Sequence, residues 1–178
     1  MRCKLFASAA LLVAPFTLFG TPANAEEFTA KMAGFHEAPT SIFSANGTGT
    51  LQLDLDKKAR TITFKETFSG LSSPVTQSHI HLGEIHTAGG VTVFFCTNLN
   101  NGPAGTQACP AGGGTITGTI TGGNVIGLPA QGLPAGDFDA LVELLESRSG
   151  YVNVHTTNFP AGEIRGQIRR ADEEGDER

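Results

Sequence analysis

Leu51-Gln52-Leu53-Asp54-Leu55-Asp56-Lys57-Lys58-Ala59-Arg60-Thr61-Ile62-Thr63-Phe64-Lys65 is the stretch that decides the fold class. Leu51, Leu53 and Leu55 alternate with Gln52, Asp54 and Asp56, and Ile62 and Phe64 alternate with Thr61, Thr63 and Lys65. Successive side chains of a strand point to opposite faces, so each half carries one apolar and one polar face. Lys57 to Arg60 form a polar turn between the halves, and residues 49–68 read as an antiparallel hairpin. Working outward, the same period marks strands at 27–33, 77–82, 91–96, 114–121, 151–156 and 163–169. The 23 glycines supply the tight turns such a chain needs. The expectation is an all-β domain, a Greek-key β-sandwich or flattened barrel of about eight strands.

One segment breaks the period. Between Asp137 and Glu146, Phe138, Leu141, Leu144 and Leu145 fall on one helical stripe. The spacing predicts a short helix near 137–147 with Asp137 as N-cap and Gly150 ending the turn before the next strand. A helix of this kind covers an opening or an edge of the sheet structure.

The first residues have the pattern of an export signal. Arg2 and Lys4 precede an apolar stretch from Leu5 to Phe19, and Ala23-Asn24-Ala25 is a small-x-small cleavage site. The apolar stretch is interrupted by Pro15 and falls short of the roughly 20 residues that span a bilayer. Cleavage is expected after Ala25, with residues 26–170 as one domain, periplasmic or secreted, and no membrane anchor after cleavage. Residues 171–178 read as an acidic disordered tail. Asn46-Gly47-Thr48 matches a glycosylation sequon, but the leader is of bacterial type, so no sugar is expected there. The formal charge is −5 for the whole chain, and losing Arg2 and Lys4 makes the mature part −7. An acidic protein does not steer towards nucleic acid or an anionic membrane, which excludes both as partners. Cys3 leaves with the signal, and Cys96 and Cys109 remain as a pair around a turn-rich loop. In an oxidising compartment that pair reads as a disulfide worth about 3 kcal/mol in the chain-entropy picture. Cys-x-x-Cys ligand spacing is absent.

The candidate chemistry lies in histidine. His79 and His81 flank Ile80 on a predicted strand and so project from one face, about 7 Å apart. His155 lies on a second strand, on the face of Tyr151 and Asn153, with Val152 and Val154 on the other. Three imidazoles can hold copper or zinc and leave a coordination position open. The competing reading is that these histidines pin loops by hydrogen bonds to backbone or to Glu163. Strand order decides whether His155 reaches the pair, and spacing leaves that open. Glu163, Arg165 and Gln167 form a polar row on the last strand, in which Arg165 and Glu163 are candidates for an anion-attracting or outer-sphere role. His36 and His86 stand alone in polar segments and are not expected to be ligands, and Glu84 is at most a nearby carboxylate. Gly-x-Ser-x-Gly, His-Glu-x-x-His and a phosphate-cradling strand–loop–helix are all missing from the sequence.

Taken together, Ser78-His79-Ile80-His81-Leu82-Gly83, Gly90 to Cys96, Tyr151 to Thr156 and Ala161 to Ile168 resemble the CHRD domain. This module was first described as a repeat in chordin and is found alone in many exported bacterial proteins. The likeness spans about Phe28 to Ile168, with Pro160-Ala161-Gly162-Glu163 where many members carry Pro-Gly-Gly-Glu. It implies fold and location more than an activity. A second, more partial likeness is to the copper-zinc superoxide dismutase sandwich, in which a His-x-His strand and a later His-bearing strand hold copper and an arginine attracts the anion. His79, His81, His155 and Arg165 follow that chain order, but the zinc-loop cluster is lacking and His86 is the lone histidine in that interval. The leading expectation is an exported CHRD-type binding protein without turnover of its own, holding copper or zinc through His79, His81 and His155. The alternatives are a dismutase-like redox enzyme, or a metal-free scaffold module that presents loops to an unidentified extracytoplasmic protein partner.

Overall fold

The alternating segments pair as their periodicity requires. The computed structural model describes residues 26–43 and 46–173. The expected leader, the sequon's surroundings at 44–45 and the end of the acidic tail lie outside those residues. In chain order the strands are β1 (Glu26–Ala33), β2 (Thr48–Asp56), β3 (Thr61–Ser69), β4 (Val75–Leu82), β5 (Gly90–Thr97) and β6 (Gly114–Ile120). The helix α1 (Phe138–Glu146) follows, then β7 (Gly150–Thr156), β8 (Ile164–Gln167) and the short β9 (Arg169–Arg170). They form one antiparallel sheet in the order β5-β4-β7-β8-β1-β2-β3-β6, with β9 on β1. The hairpin of Leu51 to Lys65 is β2–β3, in register Leu53↔Phe64 and Leu55↔Ile62.

The sheet curls until its outer strands approach. Cys96 on β5 and Cys109 ahead of β6 are disulfide-bonded with their Cα atoms 5.0 Å apart. Gln107 completes the seam: its amide Nε2 donates to Phe95 O and Thr117 O, each at 3.1 Å, tying β5 to β6 where no ladder joins them. The result is a nearly closed barrel filled by Phe28, Leu53, Leu55, Ile62, Ile80, Phe95, Val152 and Ile164, among others.

Helix α1 closes one end. Asp137 Oδ1 accepts from Ala140 N at 3.0 Å, satisfying one of the free N–H groups of the first turn. Phe138, Leu141, Val142, Leu144 and Leu145 are buried against the core. Lys57 and Arg60 of the β2–β3 turn pair with Glu146 and Asp139, so helix and hairpin meet. The helix end differs from expectation. Arg148, at φ 60°, takes the left-handed position, and Ser149 N donates to Leu144 O as in a Schellman ending. Gly150 is instead the first residue of β7. A Cβ there would lie 2.4 Å from Leu144 Cδ2, so the glycine lets the helix sit directly on the strand. Past β9, Ala171–Glu173 continue as a 3-10 turn, and Glu173 pairs with Arg148 at 2.8 Å.

Candidate metal centre

Strand order answers the question that spacing left open. β7 lies between β4 and β8, pairing His79 with Asn153, His81 with Tyr151 and Gln77 with His155. On its other edge Asn153 pairs with Arg165 and Tyr151 with Gln167. With Ile80, Val152, Val154 and Ile164 turned into the barrel, His79, His81, Tyr151, Asn153, His155 and Arg165 project together from the outside of the sheet. That outer face is not wet. The loop 83–89, the segment around Glu37 and the turn 158–162 cover it, leaving His79, His81 and His155 only 1 %, 8 % and 5 % exposed.

The three imidazoles converge. One ring nitrogen from each of His79, His81 and His155 lies within 4.8 Å of the other two. The ring of His79 is 4.8 Å from that of His81 and 4.6 Å from that of His155, centroid to centroid. His81 Nδ1 donates to Gly89 O at 2.8 Å, and His155 Nδ1 donates to Pro160 O at 2.9 Å. Each bond fixes a tautomer whose Nε2 keeps its lone pair. His79 Nδ1 lies 2.9 Å from His81 Nε2 and, with the His81 proton on its own Nδ1, donates to it; His79 becomes a ligand through Nδ1 only in the tautomer that carries its proton on Nε2. His155 Nε2 is also 2.9 Å from the Asn153 side-chain oxygen position. A neutral imidazole has one N–H and cannot donate to both oxygens. With that proton given to Pro160, the amide presents its NH2 to Nε2 instead.

The electrostatics keep the rings neutral. Burial is the main cause in all three, since charging an imidazole in an apolar surrounding is costly. His79 is pushed down to about 2, with His155 and His81 adding like-charge opposition. His155 is pushed down to about 4, and His81 is lowered as well. Neutral imidazoles are the form a metal ion requires, and an ion bound there would replace the bonds that His79 makes to His81 and Asn153 to His155.

A shell of further residues orients the rings. The guanidinium carbon of Arg165 sits 3.4 Å from the Tyr151 ring centroid, and Arg165 donates to Thr87 O at 2.8 Å and Glu84 O at 2.9 Å. This arginine, 2 % exposed, thereby clamps the covering loop. Glu37 is buried beside it. Desolvation raises its carboxyl to about 7 against the opposing pull of Arg165, and its Oε1 has no hydrogen-bond partner among the described residues. Gly162, at φ 130°, makes room: a Cβ there would lie 2.5 Å from Glu37 Oε1 and 2.8 Å from the end of the Asn153 side-chain amide.

The remaining expectations divide. Glu163 is fully buried but faces elsewhere, accepting from Ser72 N, Ser72 Oγ and Thr156 Oγ1 at 2.7, 2.9 and 2.6 Å. It pins the connection after β3, and backbone carbonyls hold the histidines. His36 Nδ1 bonds Arg165 O at 3.2 Å and is no part of the cluster. Sequence reasoning placed Tyr151 and Asn153 on the right face without giving them a role. It missed Glu37, which comes from a segment with no periodic signal.

Fold and site together define an antiparallel β-barrel module with a buried three-histidine pocket on the outside of its sheet. The chain belongs to the CHRD-domain family, whose model matches residues 28–168, from the first strand to Ile168. No curated protein and no solved structure matches it. No helix among the described residues is long and apolar enough to cross a membrane.

Proposed function

We propose that this CHRD domain is an exported binding protein that holds one copper or zinc ion through His79, His81 and His155. The observation that carries the reading is the convergence of three buried, neutral imidazoles, two of them with a backbone carbonyl fixing the outer nitrogen. Carbonyl-oriented histidines are the usual outer support of a metal site. The donor set fits the group: nitrogen ligands suit Cu(I), Cu(II) and Zn(II), and three leave room for one more. Bound there, such an ion would supply Lewis acidity or, for copper, one-electron redox capacity. The chain's own residues favour retention over turnover. Arg165 is committed to Thr87, Glu84 and Tyr151, so its charge holds a loop rather than meeting an incoming anion. The loop 83–89 and the turn 158–162 exclude bulk water. The disulfide agrees with an oxidising, extracytoplasmic home.

The test is elemental analysis of the mature protein expressed with its leader, beside a His79→Ala/His81→Ala/His155→Ala variant. About one copper or zinc per chain, lost in the variant, supports the reading. No uptake by folded wild-type protein after loading with both metals overturns it and turns attention to protein partners.

A further inference from the structure

Asn153 stands between the histidine cluster and Glu37, and both are buried. On one side its amide lies 2.9 Å from His155 Nε2, and its side chain also acts on His79 and His81. On the other side the end of the amide and Glu37 Oε1 meet over Gly162, where a Cβ would lie 2.8 and 2.5 Å from them. The positions of the protons follow from the backbone outward. Pro160 O takes the His155 Nδ1 proton, so His155 Nε2 is an acceptor and the amide turns its NH2 to it. That leaves the amide oxygen towards the Glu37 carboxyl. Two oxygens brought together in a buried place need a proton between them, and an amide oxygen has none to give. A protonated Glu37 donating to Asn153 also satisfies its Oε1, which otherwise has no hydrogen-bond partner among the described residues. Desolvation, which raises this carboxyl to about 7, agrees.

Each of these preferences reverses when the rings hold a cation. With an ion on His155 Nε2, the Asn153 NH2 loses its acceptor. Turned over, it donates to Glu37, which then accepts as a carboxylate and sets one negative charge beside three neutral rings. The Glu37 proton leaves to water and no electron moves. The tautomer change at His79 shifts a proton within the ring and releases none. The other groups around Glu37 are few. Arg165 on β8 favours its carboxylate, and Tyr151 on β7 is neutral. His36 next in the chain bonds Arg165 O, and Glu84 and His86 of the covering loop are exposed. The turn 158–162 reads Asn158-Phe159-Pro160-Ala161-Gly162 and brings no charge.

We propose that Glu37 and Asn153 form a relay that couples metal capture by the histidines to the release of one proton, with Glu37 as the counter-charge and Asn153 as the amide that turns. The relay rests on the reading of the three histidines as a metal site.

Calorimetric titration of the intact mature protein tests it, in buffers of differing ionisation enthalpy, which counts protons released per ion. The probe is zinc(II), or copper(II) where that is the ion taken up. Wild-type protein should release about one proton per ion at pH 6 and almost none at pH 8.5. A proton lost from metal-bound water gives the opposite trend, since such water ionises at about pH 7. Glu37→Gln keeps the shape of the side chain, and its NH2 can donate to Asn153 as the protonated acid does, so urea unfolding should find it folded. It should release almost no proton at pH 6 and bind the ion about 10–100-fold more weakly at pH 8.5. Uptake with equal proton counts at the two pH values, or the wild-type count from Glu37→Gln, overturns the relay and leaves the metal site standing. No uptake by wild-type protein overturns both. If Glu37→Gln does not fold, the trend in wild-type protein decides.

Discussion

Tyr151 lies parallel to His81, 3° between the ring planes and 4.7 Å between centroids. Arg165 stands over the same ring at 3.4 Å, and two groups that close cannot share one face without overlap, so the tyrosine is sandwiched between cation and imidazole. Its hydroxyl accepts from Gly89 N at 3.2 Å, and Gly89 O in turn accepts from His81. Tyr151→Phe keeps the stack and should cost only about 1 kcal/mol, the net worth of one hydrogen bond. Tyr151→Leu removes the stack. It should cost roughly 2–4 kcal/mol in urea unfolding and lower metal affinity about 10–100-fold by freeing His81. Equal metal affinities in the two variants would show that the stack does not position the ligand.

Glu66 is the clearest source of pH dependence. It is fully buried on the barrel side of β3, with Ser78 Oγ 2.6 Å from its Oε1 and no partner for Oε2 among the described residues. Ser78 has one proton and also lies 3.1 Å from Asn153 O. A protonated Glu66 resolves the conflict by donating to Ser78, which then donates to Asn153. Desolvation raises this carboxyl from 4.5 to about 8. The folded state therefore holds the proton where the unfolded chain releases it. The contribution of Glu66 is fullest below pH 4.5 and falls as pH rises towards 8, by up to about 1.4 kcal/mol per unit, while the buried neutral histidines work in the opposite sense as pH falls below 6.5. Glu66→Gln should be nearly neutral at pH 4 and gain roughly 2–4 kcal/mol over wild type at pH 8. Parallel stability curves for the two proteins across that window would refute this account.

Gly162→Ala should be disproportionately harmful for one methyl group. The position combines φ 130° with a Cβ site 2.5 Å from Glu37 Oε1. Backbone strain and displacement of the Glu37–Asn153 contact together predict a loss of about 2–3 kcal/mol. Ala161→Gly, one residue earlier, should stay within about 1 kcal/mol. Urea titration of the two variants distinguishes a site-specific clash from general turn sensitivity.

Reduction of Cys96–Cys109, or Cys96→Ser/Cys109→Ser, should lower stability by about 3 kcal/mol, the closure entropy of a loop with a sequence separation of 13. Gln107→Ala should add to that loss, since its amide is the other tie between β5 and β6. A double-variant loss no larger than that of the cysteine change alone would mean that the seam depends on the disulfide to form.

What was legible in the sequence follows from which signals are local. The alternation of Leu51 to Phe64 is a property of neighbouring residues, and it yielded the hairpin and the fold class. The shared face of His79 and His81, and the cap at Asp137, are local in the same way. The meeting of His155 with that pair required β7 to lie directly beside β4, a fact of strand order that no spacing contains. Glu66 was within reach. Extending the period from Ile62 and Phe64 assigns it to the barrel interior, where a carboxylate stands out. Glu37 was not, because nothing about an acid in an irregular segment shows that the chain will fold it beneath Arg165. Arg148 takes the left-handed position that ends the helix, and the glycine at 150 serves a different need, the space that Leu144 fills against β7.

The position of β7 and β8 in the sheet also sets the order in which the molecule can be completed. Chain emerging up to Glu146 contains the β4–β5 ribbon and the block β1-β2-β3-β6, but the ladder that joins them is made entirely by the last hairpin. Until that hairpin arrives, β4 and β1 each present an unsatisfied edge, the sort of surface on which nascent chains associate wrongly. The hairpin is a keystone, and the third histidine travels on it. The ladder that joins the two blocks and the third histidine of the cluster are thus supplied by the same last segment of the fold.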